Sequence, residues 1–334
     1  MQTAVVIASI AAPNKTMCDI ATGCINNGLE FIVIGDTSSP NDFHIEGCMF
    51  YSLAMQENIG FEFARLCPTR HYARKNIGYL VAMAQGSSVI VETDDDNFPR
   101  KTFWNERQRM QKAAVVTKGG WVNMYRYFTE AWIWPRGLDL ASLRNEAPAY
   151  ESLPVKEVDC PIQQGLADEN PDVDAIYRLV LPLPISFRKD RRVVLGEGSW
   201  CPFNSQNTTW WQDVFPLMYL PAYCSFRTTD IWRSFVAQRI VLANNWGILF
   251  HEATVWQERN EHHLIRDFKD EIPGYLNNDE IKIALEALPV KPGAANIGEN
   301  MRLCYAKLVE MKLVGAQESE LLDAWLSDIR KHSS

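Results

Sequence analysis

The residues best placed to do chemistry are Thr93-Asp94-Asp95-Asp96-Asn97, at the end of the strand-like run SVIVETD (88–94). Three adjacent carboxylates repel one another. At the carboxyl end of a buried strand they stand where α/β sheets bind ligands, and a hard divalent cation with the ribose hydroxyls of a nucleotide would offset the repulsion. A solvated acidic turn is the plain alternative for such a triplet. Here Arg74-Lys75-Asn76 open the preceding helix, whose amino terminus favours anions, so a diphosphate or a base would meet cations there. A solvated basic face is the other reading of that pair. Asp36, at the end of an earlier strand, is a candidate for contacting base or ribose, or else a turn-forming Asp.

The elements that must position these residues show in the first third of the chain. AVVIASI (4–10), FIVIGDT (31–37) and SVIVETD (88–94) read as buried strands. Between the first two, Met17, Ile20, Ala21 and Cys24 recur on one helix face, and Gly28 is placed to cap it. Ser38 to Asn41 form a turn. A further helix starts near Ala73, with Ile77, Leu80, Val81 and Ala84 inward and Gly86 at its end. This rhythm predicts βαβ units on a mostly parallel sheet. Seven prolines, from Pro135 to Pro184, break the stretch 120–200 into short pieces of loop and mixed sheet. Thr229 and Asp230 are expected to cap a helix carrying Ile231, Phe235 and Ile240, and GILF (247–250) to form a strand. Beyond Gly293, Met301, Tyr305 and Leu308 mark one amphipathic helix and Leu322, Trp325 and Ile329 another.

With 334 residues, 47% of them hydrophobic, the chain can bury a large core, which excludes a disordered or disulfide-stapled protein. The 33 basic and 41 acidic residues give a net charge of -8, so binding to nucleic acid is not expected. Eight scattered cysteines without a CxxC pair read as free thiols in a reducing compartment. No apolar run is long enough for a signal peptide or a membrane span, and a cytoplasmic chain is expected, able to visit a membrane through partners. No Gly-rich phosphate loop, Ser/His/Asp arrangement or Rossmann fingerprint competes with the acidic motif.

The run VIGDTSSPNDF (33–43) through ARKNIGYLVAMAQGSSVIVETDDDN (73–97) resembles the glycosyltransferase-like family that includes the plant STELLO proteins. More distantly, GYL followed by an apolar strand and DDD is similar to the reversibly glycosylated polypeptides, which include UDP-arabinopyranose mutases. VNMYRYFTEAWIWPRG (122–137), QGLADENPDVDAIYRL (164–179), CPFNSQNTTWW (201–211) and TTDIWRSFVAQR (228–239) extend the match over roughly residues 3–275. The resemblance implies an α/β GT-A fold, a Rossmann-like mixed sheet flanked by helices. Residues 1–115 would form a nucleotide-sugar-binding half, 116–275 an acceptor and catalytic half of the same domain, and 276–334 a helical C-terminal extension.

The resemblance also implies roles. Asp96 would be the chief ligand of Mn²⁺ or Mg²⁺, helped by Asp94, which also faces ribose; Asp95, Asp36, Arg74 and Lys75 would hold the donor. Asp230 resembles the acidic residue that begins a helix in many GT-A enzymes, and is a candidate general base or a simple N-cap. Arg233 follows it on the same helix. His251 stands where some GT-A enzymes put a third metal ligand, or serves packing. Asn204, Gln206 and Asn207 suit bidentate bonding to sugar hydroxyls or to their own loop. Asp168, Asp172 and Asp174 could hold the sugar or be loop carboxylates. Trp210, Trp211 and Trp232, beside these polar motifs, could stack on a pyranose, although most of the tryptophans must be core. The pair His262 and His263 reads as surface.

The implied activity is a metal-dependent glycosyltransferase with a nucleoside-diphosphate-sugar donor, a UDP-sugar as the working guess, and a glycan or glycolipid acceptor. A nucleotide-sugar mutase is the alternative enzyme, and a non-catalytic assembly partner of glycan-synthesis enzymes is the alternative of another class. Homo-oligomerisation, or association with such enzymes, stays open.

Overall fold

The structure is a computed structural model that describes residues 2–258 and 263–332. Among them one large mixed sheet forms the centre. Its strands are β1 (Thr3–Ala8), β2 (Glu30–Ile34), β3 (Met49–Tyr51), β4 (Val89–Thr93), β5 (Asn97–Pro99), β6 (Met110–Val116), β8 (Val155–Asp159), β9 (Ile162–Asp168), β10 (Arg192–Leu195), β12 (Asn207–Trp211) and β13 (Ile248–Gln257). β7 (Gly120–Trp121) and β11 (Ser199–Trp200) pair separately. The order is β3-β2-β1-β4-β12-β9-β13-β10-β6-β8, with β5 added to β13. The first four of these are parallel, and β12 then runs antiparallel between β4 and β9. Helices cover the sheet: α1 (Lys15–Asn27), α2 (Leu53–Asn58), α3 (Glu62–Leu66), α4 (Lys75–Ala84), α5 (Ala175–Val180), α6 (Thr229–Ala243), α7 (Leu264–Glu286), α8 (Ile297–Glu310) and α9 (Glu318–His332).

Alternation along the strands sorts the core into two layers. On β1, Val5 and Ile7 join Met17, Ile20, Ala21 and Cys24 of α1, while Ala4 and Val6 face Ile77, Leu80 and Val81 of α4. Gly28 ends α1 at φ 65°, a conformation that favours glycine. Gly78 lets α4 lie directly on the sheet, since a Cβ there would come within 2.6 Å of Val6 and 2.8 Å of Ile34.

Several expectations need correction. Ala84 is exposed, because α4 is buried over Lys75 to Met83 and emerges only at its end. Neither Thr229 nor Asp230 caps α6: its N-cap is Thr228, without a side-chain bond, and Asp230 lies inside the first turn with its carboxylate turned to other partners. The strand begun by GILF runs on to Gln257. Helix α7, with Pro273 inside it, is absent from the sequence reading and runs unbroken across residue 276, where that reading begins the helical extension. His263 is exposed, as expected, and its ring accepts from Arg266 N at the start of α7; His262 lies outside the described residues. All eight cysteines are free, with Cys18 exposed. No helix among the described residues is long and apolar enough to cross a membrane.

Candidate functional site

The topology brings distant segments to one edge of the sheet. The carboxyl ends of parallel β1, β2 and β4 deliver Ser9, Asp36 and the acidic motif side by side. Because β12 is antiparallel and sets Asn207 opposite Thr93, the residues just before it, Ser205 and Gln206, arrive at the same edge. The carboxyl end of β13 adds Gln257, opposite Asn97. Between these ends and the amino-terminal turns of α4 and α6 lies a cleft of about 600 Å³, within the range of small-molecule sites and at the position such sheets use for ligands.

The three carboxylates of the motif are held apart, each by a different element. Asp94 accepts from Lys75 Nζ at 3.0 Å and from Tyr72 Oη at 2.9 Å. Lys75 is fully buried and also donates to Thr93 O at 2.6 Å. Asp95 accepts from Ser9 Oγ, and its backbone carbonyl from Asn14 Nδ2 at 2.9 Å. Burial pushes its carboxyl up and neighbouring Asp94 adds to the rise, against the Ser9 bond. Asp96 accepts from Gln257 Nε2 at 3.0 Å. Asp36 ties two loops together, accepting from Thr37 N at 2.6 Å and His71 N at 3.1 Å.

Arg74 borders the cleft, but its guanidinium is spent on the protein itself. It is buried and donates to Gln56 Oε1 at 2.9 and 2.7 Å and to Cys67 O at 2.9 Å, while Gln56 Nε2 donates to Gly35 O and Tyr51 O. The guanidinium therefore braces the loop that carries Asp36. Arg70, which the sequence reading passes over, is exposed on the cleft at φ 56° and has no ion pair among the described residues.

The opposite wall is a buried charge network centred on Arg136. It grips both oxygens of Asp172 at 2.8 Å, reaches Asp230 at 2.9 and 3.1 Å, and donates to Arg227 O. Arg227 in turn holds Glu271 at 3.0 and 2.8 Å. Burial alone would raise the Asp230 carboxyl, but Arg136 above all, then Arg233 and Arg227, hold it at about 2. So held, it is a poor proton acceptor near neutral pH. Phe226, 52% exposed, stands on the cleft edge-on to His71 and Tyr72.

The model of the family described as STELLO glycosyltransferases matches residues 227–333, from Arg227 in this wall through α6, α7, α8 and α9. The chain resembles the STELLO glycosyltransferases. It is 29% identical to "Probable glycosyltransferase STELLO2" of Arabidopsis thaliana over 266 residues, 73% of this chain and 34% of that protein. With "Probable glycosyltransferase STELLO1" of the same plant it shares 28% over 236 residues, 64% of this chain and 30% of that one. The chain thus spans about a third of the length of these curated relatives. A solved mycobacterial protein is similar at 11% identity and a TM-score of 0.40, covering 83% of this chain and 74% of that one.

Within the stretch matched to the STELLO glycosyltransferases, Arg233 points away from the cleft: it pairs with buried Glu92 at 2.8 Å and lies 4.9 Å over the ring of Trp210. Trp210 donates to Glu92 at 2.8 Å and Trp232 to Asn278 at 3.0 Å, and Trp211 is also buried. None of the three indoles lines the cleft, so the expectation of sugar stacking gives way to core packing. Gln206 lines the cleft, whereas Asn204 holds Gln206 N at 3.0 Å and Asn207 donates inside the sheet to Leu166 O and Thr254 Oγ1. Asp172 belongs to the Arg136 network. Asp168 instead pairs with Arg100 at 2.7 Å, and Asp174 caps α5 through Tyr177 N at 2.7 Å and accepts from Trp134 Nε1 at 2.6 Å. His251 sits in mid-sheet between Gly165 and Arg192. It is six residues along β13 from the Gln257 that meets Asp96, about 20 Å at strand rise, too far for a shared metal. Burial first, then Arg192 and Arg107, push its ring down to about 4. Among the described residues no three His, Cys, Asp or Glu side chains come together as a group that could hold a metal ion.

Proposed function

We propose that the chain is a glycosyltransferase that takes a nucleoside-diphosphate sugar together with Mn²⁺ or Mg²⁺ and passes the sugar to a glycan or glycolipid hydroxyl. The observation that carries this reading is the acidic edge 94–96 inside a ligand-sized cleft at the carboxyl ends of the strands. The donor set fits a hard cation: it is all oxygen, and ions of this kind are commonly held by one or two carboxylates plus substrate phosphates. A full protein cage is not required. Without a cation, a diphosphate beside Asp94, Asp95 and Asp96 would meet like charge at that edge, which exposed Arg70 offsets only in part, because Arg136 and Arg227 are already gripped by carboxylates. A bound cation would neutralise charge on the departing diphosphate.

In this reading Asp96 is the chief ligand and Asp94, fixed by Lys75 and Tyr72, supports it and faces ribose. Asp36 and Arg70 flank the base end. Gln206, Ser205 and the Arg136 network line the sugar end, with Phe226 as the exposed ring beside it. Asp230 acts there by orienting Arg136 rather than by taking the acceptor's proton. The test is to incubate the protein with nucleoside-diphosphate sugars and follow release of the nucleoside diphosphate. The expected outcome is Mn²⁺- or Mg²⁺-dependent release from at least one donor, abolished in Asp96→Ala; release undiminished in EDTA would remove the metal from the mechanism.

A further inference from the structure

Helix α7 has two unlike faces. Asp267, Glu271, Gly274, Asn278, Ile281 and Leu285 are buried against the rest of the molecule. On the opposite side Ile265, Ile272, Leu276 and Ile283 are 60, 37, 71 and 55% exposed. Their spacings of seven, four and seven residues keep them within about 20° of one line along the helix. An apolar stripe of this length on a surface helix marks a contact.

We infer that the stripe docks a second copy of this chain, α7 against α7, antiparallel, about a two-fold axis level with Gly274. The stripe is self-complementary about that residue. Ile265 then lies level with the partner subunit's Ile283, and Ile272 with the partner subunit's Leu276. The two polar positions of the same stripe, Lys269 and Asp279, fall level with each other across the axis. Each copy contributes the same patch, as a closed two-fold dimer requires, and the interleaved positions are those of an antiparallel helix pair. A parallel pairing would set Lys269 against Lys269 and Asp279 against Asp279. Lys269 is exposed and has no ion pair among the described residues. The Asp279 side chain is 48% exposed, with Oδ1 held by Trp121 Nε1 at 2.8 Å and 3.7 Å from Lys282 Nζ on the same helix. An anionic membrane is a poorer fit, since Asp270, Asp279, Glu280 and Glu286 lie on the same helix and would be repelled. The inference is independent of the reading of the cleft.

One helix pair buries a small area, so the dimer should be weak, with Kd of about 1–100 µM. Sedimentation equilibrium of the 334-residue chain across that range tests it. The wild type should pass from monomer to dimer. Leu276→Asp, at an exposed position, should weaken the dimer at least about tenfold with the melting temperature and circular dichroism kept. Lys269→Glu and Asp279→Lys should each weaken it, and the double exchange should restore it. A monomer throughout the range would overturn the inference, as would a dimer indifferent to both Leu276→Asp and the charge exchange.

Discussion

Two arginines near the cleft do opposite work, although a sequence shows both only as basic residues before a helix. Arg74 is buried and triply bonded to Gln56 and Cys67 O, so Arg74→Ala strands those groups. Its cost should be on the order of 2–4 kcal/mol of stability, read as a lower urea midpoint. Arg70→Ala, at an exposed side chain, should leave that midpoint unchanged. The Asp230 carboxylate is legible as an acid at a helix start, but its partner is not: Arg136 is 94 residues away and only the fold joins them. Since Asp230 drops from 3.8 to about 2 on folding, its contribution to stability is present above pH 4 and is lost as pH falls from about 4 to 2. Asp230→Asn should flatten the fall of the urea midpoint across that window; an unchanged pH profile would mean that Arg136 does not hold the carboxylate.

At the scale of elements, the β1, α1, β2, α4 and β4 succession is legible because each strand is apolar throughout and each helix keeps one apolar face. Helix α7 is not, because Pro273 reads as a break and its exposed stripe of isoleucine and leucine blurs the amphipathic pattern. The tryptophans beside polar motifs mislead for a related reason: the ring nitrogens of Trp210 and Trp232 are satisfied by buried Glu92 and Asn278, partners far away in the chain, while Trp211 is buried without a hydrogen bond to its ring nitrogen. Asp174 at the start of α5 offers a test of an element end. Burial, chiefly, lifts its carboxyl to about 6, against the bonds from Tyr177 N and Trp134. A carboxyl raised on folding costs stability as it ionises, so its favourable contribution is complete below about pH 4 and gone above about pH 6. Asn caps as well as Asp, but its amide nitrogen cannot accept from Trp134 Nε1 as the second carboxylate oxygen does. Asp174→Asn should therefore lose that bond at every pH yet gain on the wild type in melting temperature as pH rises from about 4 to 6; a difference that does not change across that window would contradict the raised carboxyl.

For the whole molecule, the sheet turns residues scattered between Ser9 and Gln257 into one cleft, and this is why the acidic motif is legible in sequence while of the opposite wall only Asp172 and Asp230 are, without the partners that hold them. The motif leaves a single recognisable strand; the wall is assembled from Arg136, Asp172, Arg227, Asp230 and Glu271, which lie on separate loops and helices. In the function proposed above, this cleft takes a nucleoside diphosphate only with a divalent cation, through Asp96. Calorimetric titration of UDP, GDP, ADP, CDP and dTDP into the wild type and Asp96→Ala, in Mn²⁺ and in EDTA, tests that claim most directly. At least one nucleotide should bind the wild type in Mn²⁺, with binding lost in EDTA and lost again in a folded Asp96→Ala. Equal binding with and without the cation, or no binding of any of the five in Mn²⁺, would contradict it.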